Sequence, residues 1–159
     1  MILLDIDGTL SPPHPEEAPQ TDGETEKAFG FQVFIPQHLL KFIRGRDDVV
    51  LLSTWGLDSF SLLKAFNLNA RVALMEDFSD ILGIQGKFEV VKALQPSGWA
   101  DDHIKKAMKE YSEAHQIAVS VPRKGYITEA ELKAFVEKLE LVPKRVPAKN
   151  DSKLRWIEN

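Results

Sequence analysis

Asp5-Ile6-Asp7-Gly8-Thr9 follows directly on the apolar run Ile2-Leu3-Leu4. Such a run reads as a buried strand, and the two acids then stand at its carboxyl end, the edge where open α/β sheets bind their ligands. Two carboxylates one residue apart at that place suit one nucleophile, one general acid/base and a Mg²⁺ ion between them. The competing structural role is an Asp-Gly turn closing an edge strand. Further polar residues fall at comparable places: Ser53-Thr54 after Val49–Leu52, Lys87 after Gly86 at the opening of a helical pattern, and Asp101-Asp102 after Trp99-Ala100. A phosphate-transfer site needs this set. It requires a carboxylate nucleophile, a second acid to protonate the leaving group, oxygens for Mg²⁺, and a hydroxyl and a cation to hold the phosphoryl oxygens. A carboxylate approaching an anionic phosphate is repelled, and Mg²⁺ with Lys87 would offset that repulsion.

Alternating elements must position these groups. Residues 1–4 and 49–52 read as buried strands, with shorter strands at Ala70–Leu74, Trp99-Ala100 and Ile117–Val121. Helices are expected between them. The first is introduced by Pro36, carries Leu39, Leu40 and Ile43 on its apolar face and stops at Gly45. A second carries Phe60, Leu62, Leu63 and Phe66, and a third runs over Lys87–Leu94. A fourth is expected over His103–His115. The last opens at Thr128-Glu129-Ala130-Glu131, which has capping-box form. Strands alternating with helices predict an α/β fold with a parallel sheet and helices on both faces, so that all strand ends share one edge. Residues 11–27, with Pro12, Pro13, Pro15 and Pro19 among several acids, read as a surface loop, and Phe29–Ile35 as a short flap strand. The expected organisation is one domain over 1–141, with a loop and flap insertion at 11–31, and a basic tail over 142–159 docked by Leu154, Trp156 and Ile157.

The 159 residues are 43% hydrophobic and 28% charged, ordinary values for a soluble globular domain. No apolar stretch approaches a membrane span, and no basic segment precedes the first apolar run, so neither a membrane anchor nor a signal peptide is expected. The absence of cysteine excludes disulfides, thiolate metal sites and a cysteine nucleophile, and fits a cytoplasmic location. The net charge of -4 argues against a strong nucleic-acid-binding surface.

The ordered set Asp5-Ile6-Asp7-Gly8-Thr9, Ser53, Lys87 and Asp101-Asp102 resembles the haloacid dehalogenase superfamily of phosphohydrolases and phosphotransferases. That resemblance implies an HAD-like Rossmannoid fold, with Asp5 as nucleophile and Asp7 as general acid/base. It implies Mg²⁺ held by Asp5, the Asp7 backbone carbonyl and Asp101, with Asp102 near the metal waters. Ser53 and Lys87 would bind the phosphoryl group, with Thr54 as the competitor of Ser53 and Gly8 on the phosphate-binding turn. Ser53 is preferred because it comes first after the strand. Lys87 is preferred over Lys92, which reads as lying on a solvated face. A closer likeness is to the capless HAD domains of Swiss-army-knife RNA repair proteins. It rests on Leu51-Leu52-Ser53-Thr54-Trp55-Gly56, Gly86-Lys87, Trp99-Ala100-Asp101-Asp102 and Gly125, and it implies removal of a terminal phosphate from a nucleic-acid end. The Gly8-Thr9 pair departs from the Gly-Val of many members of that group. Neither the Asp7–Ser53 nor the Ser53–Lys87 interval has room for a full cap beside its scaffold helices.

Rival readings remain at this level. The substrate is a phosphoprotein or a small metabolite as an alternative to a nucleic-acid end. A phosphoaspartate switch or a non-catalytic phosphate-binding module also uses acids, a hydroxyl and a lysine, but receivers place the phosphorylated Asp on a later strand than their acid pair. Trp55 reads as packing or as a stacking surface for a base. His14 and His103 read as surface or capping residues, and the tail basics as solubilising.

Overall fold

The computed structural model describes residues 1–13, 21–145 and 152–157. Five parallel strands form one sheet in the order β5-β4-β1-β6-β7. They are β1 (Ile2–Leu4), β4 (Val49–Leu51), β5 (Arg71–Val72), β6 (Gly98–Ala100) and β7 (Ala118–Ser120). The strand bearing the acid pair is thus central, in register with Val49–Leu51 on one side and Gly98–Ala100 on the other. Each of the three is buried on both faces, as a parallel strand covered by helices must be. Alternate residues feed two cores. Ile2, Leu4, Val49 and Leu51 meet α1 (Gln37–Arg44), α2 (Ser59–Ala65) and α5 (Glu129–Leu141). Leu3, Val50 and Trp99 meet α3 (Gly83–Leu94) and α4 (Lys106–Ala114). The expected α/β fold, with helices on both faces of a parallel sheet, is therefore what the chain forms.

Helix starts follow local chemistry. Pro36 stands at the N-cap of α1 with φ −57°. Thr128 Oγ1 accepts the Glu131 backbone N–H at 3.2 Å, and Glu131 Oε1 accepts the Thr128 N–H at 3.0 Å, completing the capping box of α5. Two helices start elsewhere than expected. Helix α3 begins at Gly83, so Lys87 lies in its second turn rather than opening it. Gly86 is a packing position, not a start signal, because a Cβ there would fall 2.1 Å from the Ile81 carbonyl oxygen. Helix α4 begins at Lys106 rather than His103, because the Asp101 carboxylate first accepts the His103 N–H at 2.8 Å and holds a turn.

The loop expected over 11–27 ends early. Gly23–Ala28 (β2) pairs antiparallel with Phe31–Pro36 (β3), turning through Phe29 and Gly30, both at positive φ. Strand β2 is polar and almost wholly exposed, so backbone pairing rather than burial creates it, and no hydrophobic pattern announced it. The part of that loop containing His14, Glu16 and Glu17 lies outside the described residues, as does Lys149 of the tail. The described part of the tail docks as expected, and Lys153 and Arg155, read as solubilising, make structural contacts instead. Leu154 is buried, Arg155 forms an antiparallel bridge to Val72, Lys153 Nζ donates to the Asp77 carbonyl at 2.8 Å, and Trp156 lies over Arg71. The third strand expected over Ala70–Leu74 shrinks to Arg71–Val72, flanked on its outer side by that bridge. No helix among the described residues is long and apolar enough to cross a membrane.

Phe135 of α5 packs against Gly98, where a Cβ would lie 2.9 Å from its ring. The Phe135→Ala variant is expected to lose about 3–5 kcal/mol of unfolding free energy through the cavity, and Gly98→Ala about 1–3 kcal/mol through overpacking. Chemical denaturation checks both, and a change within about 0.5 kcal/mol in either would contradict this packing.

Candidate active site

Backbone hydrogen bonds bring the three strand ends level. The Asp5 N–H donates to Ala100 O at 3.1 Å, Leu52 N–H to Leu4 O at 2.8 Å, and Asp101 N–H to Ser120 O at 3.2 Å. Asp5, Ser53 and Asp101 therefore emerge side by side at the carboxyl edge of the sheet. All three are buried, and so is Lys87, which α3 delivers from the second face. Lys87 Nζ lies 2.9 Å from Asp5 Oδ1 and 2.6 Å from Asp101 Oδ2. Lys92, by contrast, pairs with Glu89 on the solvated side of the same helix, as its position in the sequence implied.

Two buried carboxylates share one ammonium, so the cluster carries one net negative charge. Burial, and then the charge of Asp101, push the Asp5 carboxyl up from 3.8 to about 7 against the pull of Lys87. Burial works against the Lys87 ammonium, but the two carboxylates outweigh it and raise its pKa. The lysine is thus held protonated, and the remaining charge calls for a proton or a cation.

Asp102 and His103 adjoin this cluster. One ligand atom from each of Asp101, Asp102 and His103 lies within 4.8 Å of the others. Asp102 Oδ1 is 2.9 Å from His103 Nδ1 without hydrogen-bond alignment, and it is a buried oxygen with no hydrogen-bonded partner. Such an oxygen is costly unless something positive or donating meets it. Carboxylate oxygens in excess of neighbouring cations fit a hard divalent ion such as Mg²⁺. Gly8 makes the approach of Asp102 possible. It has φ +79°, and a Cβ there would fall 2.2 Å from Asp102 Oδ2. Its N–H donates to Ser11 O at 2.8 Å, so the Gly8 amide is committed to the turn rather than offered to a phosphate.

Asp7 is exposed, and its carboxylate faces a different neighbour from that of Asp5. Trp55 Nε1 donates to Asp7 Oδ2 at 2.9 Å. Ser53 Oγ accepts the Trp55 backbone N–H at 3.2 Å, while Thr54 is exposed. Of the expected site residues, the structure brings Asp5, Lys87 and Asp101 into direct contact, sets Asp102 against Gly8, and leaves the Asp7 carboxylate outside the buried cluster. Sequence reasoning missed the tie between Trp55 and Asp7 and the approach of His103 to Asp102. The one available signal was position, Trp55 lying two residues beyond Ser53 and His103 directly after the second acid pair.

A cleft of about 920 Å³ lies at the opposite edge of the sheet, beside Met1, Arg46, Asp48, Arg71, Pro96 and Arg145. Its arginines serve the fold. Arg46 pairs with Asp48 at 2.8 Å, and Arg145 donates to the carbonyls of Pro96, His115 and Gln116. It holds none of the acid cluster. No family model matches the chain, and no curated protein or solved structure is significantly similar to it.

A carboxyl whose folded pKa is raised contributes stability that is fully present below its unfolded value and lost as pH rises through its folded value. Without divalent metal, Asp5 should therefore cost stability between about pH 4 and pH 7, by at most about 1.4 kcal/mol per pH unit. Unfolding in chelator across that range should show Asp5→Asn gaining on the native chain as pH rises, with a plateau above pH 7. Parallel curves for the two proteins would contradict the shared-charge cluster.

Proposed function

We propose that the chain is a Mg²⁺-dependent phosphohydrolase of the haloacid dehalogenase type, acting on phosphate monoesters through an aspartyl-phosphate on Asp5. The observation that carries this reading is the buried Asp5–Lys87–Asp101 cluster at the end of the central strand, with the exposed Asp7 two residues further on. An Asp5 oxygen attacks phosphorus, the ester P–O bond breaks, and the leaving oxygen takes its electron pair and a proton from Asp7. Water then attacks the acyl phosphate, Asp7 takes its proton, and phosphate leaves with Asp5 restored. Lys87 and the Ser53 hydroxyl hold phosphoryl oxygens as their charge redistributes. Asp5, Asp101 and Asp102 would hold Mg²⁺, which when bound supplies the positive charge that keeps Asp5 ionised and neutralises the phosphate.

Among the described residues no inserted domain lies between the sheet and its helices, and the hairpin β2–β3 is the one addition. An uncapped mouth suits large phosphate monoesters, and nucleic-acid ends stand first, ahead of phosphoproteins and small metabolites. Order along the chain favours hydrolase over phosphoaspartate switch, because the acid pair and the nucleophile both sit on the first, central strand.

Phosphate release from 3′- and 5′-phosphorylated oligonucleotides, phosphopeptides, mononucleotides and sugar phosphates tests this reading. Turnover should require Mg²⁺, stop on chelation, and fall at least about 1,000-fold in Asp5→Asn. Metal-independent hydrolysis, or full activity in the variant, would remove the mechanism.

A further inference from the structure

Asp7 is exposed, so packing alone leaves its carboxylate free to turn. Among the described residues one hydrogen bond restrains it, the donation from Trp55 Nε1 to Oδ2 at 2.9 Å. An indole N–H is a donor only. The oxygen it meets accepts, which leaves Oδ1 as the oxygen to face a leaving group. The indole thus selects which oxygen is loaded as acid. It also meets a growing charge, because hydrogen bonds to an ionised carboxylate are stronger than those to a neutral one. As Asp7 gives up its proton, the Trp55 contact tightens, which is the differential binding that lowers a barrier.

Trp55 is itself supported from two sides. Its backbone N–H is held by Ser53 Oγ at 3.2 Å, and its half-buried side chain packs against the first core. Its ring then rests against Phe31, with centroids 6.4 Å apart and planes tilted by 57°. Phe31 is 64% exposed and stands next to the hairpin turn.

We propose that Trp55 is the positioning residue for Asp7, its indole N–H holding one carboxylate oxygen so that the other delivers the proton, with Phe31 of the hairpin steadying the indole. This rests on the phosphohydrolase reading for its chemistry, but not for the contact itself. In the first step, phosphoryl transfer to Asp5, the role is confined to protonation of the leaving group. A leaving group that departs without protonation does not need it.

The kcat/KM values for p-nitrophenyl phosphate and ethyl phosphate test it, since this ratio reports the phosphoryl-transfer step and the two leaving groups differ in their need for an acid. Trp55→Phe keeps an aromatic ring and removes the donor. It should lower kcat/KM for ethyl phosphate about 10- to 100-fold while leaving p-nitrophenyl phosphate within about twofold. Phe31→Ala should show the same pattern more weakly, and Phe31→Tyr should restore it. Equal losses on both substrates, or none, would overturn the proposal. A second readout on the full chain needs no turnover. The Trp55 indole N–H resonance, identified by its disappearance in Trp55→Phe, should shift in Asp7→Asn, and an unmoved resonance would overturn the contact. Should the native chain turn over neither ester, the resonance alone decides whether Trp55 holds Asp7, and the phosphohydrolase reading stands or falls on the wider substrate panel.

Discussion

Two carboxylates and one ammonium are buried together at the carboxyl end of the central strand, and their charges do not cancel. Much of the structure around them follows from that. Strand order puts β1 between β4 and β6, so Asp5 and Asp101 emerge as neighbours. Helix α3 starts early enough that Lys87 reaches both from the second face. Gly8 lacks the side chain that would displace Asp102. A charge imbalance in a low-dielectric place is expensive unless a further cation or a proton completes it. The raised Asp5 carboxyl is the proton form of that answer, and a divalent cation would be the other. In the proposed reaction the second is required, because a protonated Asp5 is no nucleophile.

In the proposed reaction the two acids that follow the first strand would divide their roles by environment. Asp5 is buried and ionically coupled, while Asp7 is exposed and tied to an indole. A nucleophile profits from exclusion of water, and an acid that must reload its proton profits from access to it. The hairpin beside them is small and polar on its exposed strand, and it reaches the acid pair through Phe31 and Trp55.

Much of this was legible in the sequence, for stated reasons. Short β-branched and Leu-rich runs bounded by Asp, Ser and Gly marked the central strands. The period of Leu39, Leu40 and Ile43 marked α1, and Thr128 with Glu131 marked the start of α5. Asp5, Ser53 and Asp101 stood out because they follow strand ends, whereas Lys87 lies in the second turn of α3. What escaped the sequence depends on tertiary contact. Strand β2 exists through pairing with β3 and has no apolar face. The start of α3 was misplaced because Gly86 serves close packing against Ile81, and the start of α4 because Asp101 first closes a turn. Docking of the tail through Leu154 was expected, but the bridge of Arg155 to Val72 of β5 was not, since no local pattern encodes it. The link from Trp55 to Asp7 joins residues far apart in the chain, and a tryptophan in sequence shows nothing of where its N–H points.

The most direct measurement is calorimetric titration of Mg²⁺ into the chelator-treated full chain at pH 8, in parallel with Asp101→Asn. If the shared negative charge is the organising feature of the site, the native chain binds the ion without any substrate and the variant binds it far more weakly. Absence of binding to the native chain, or equal binding to both, would contradict the account.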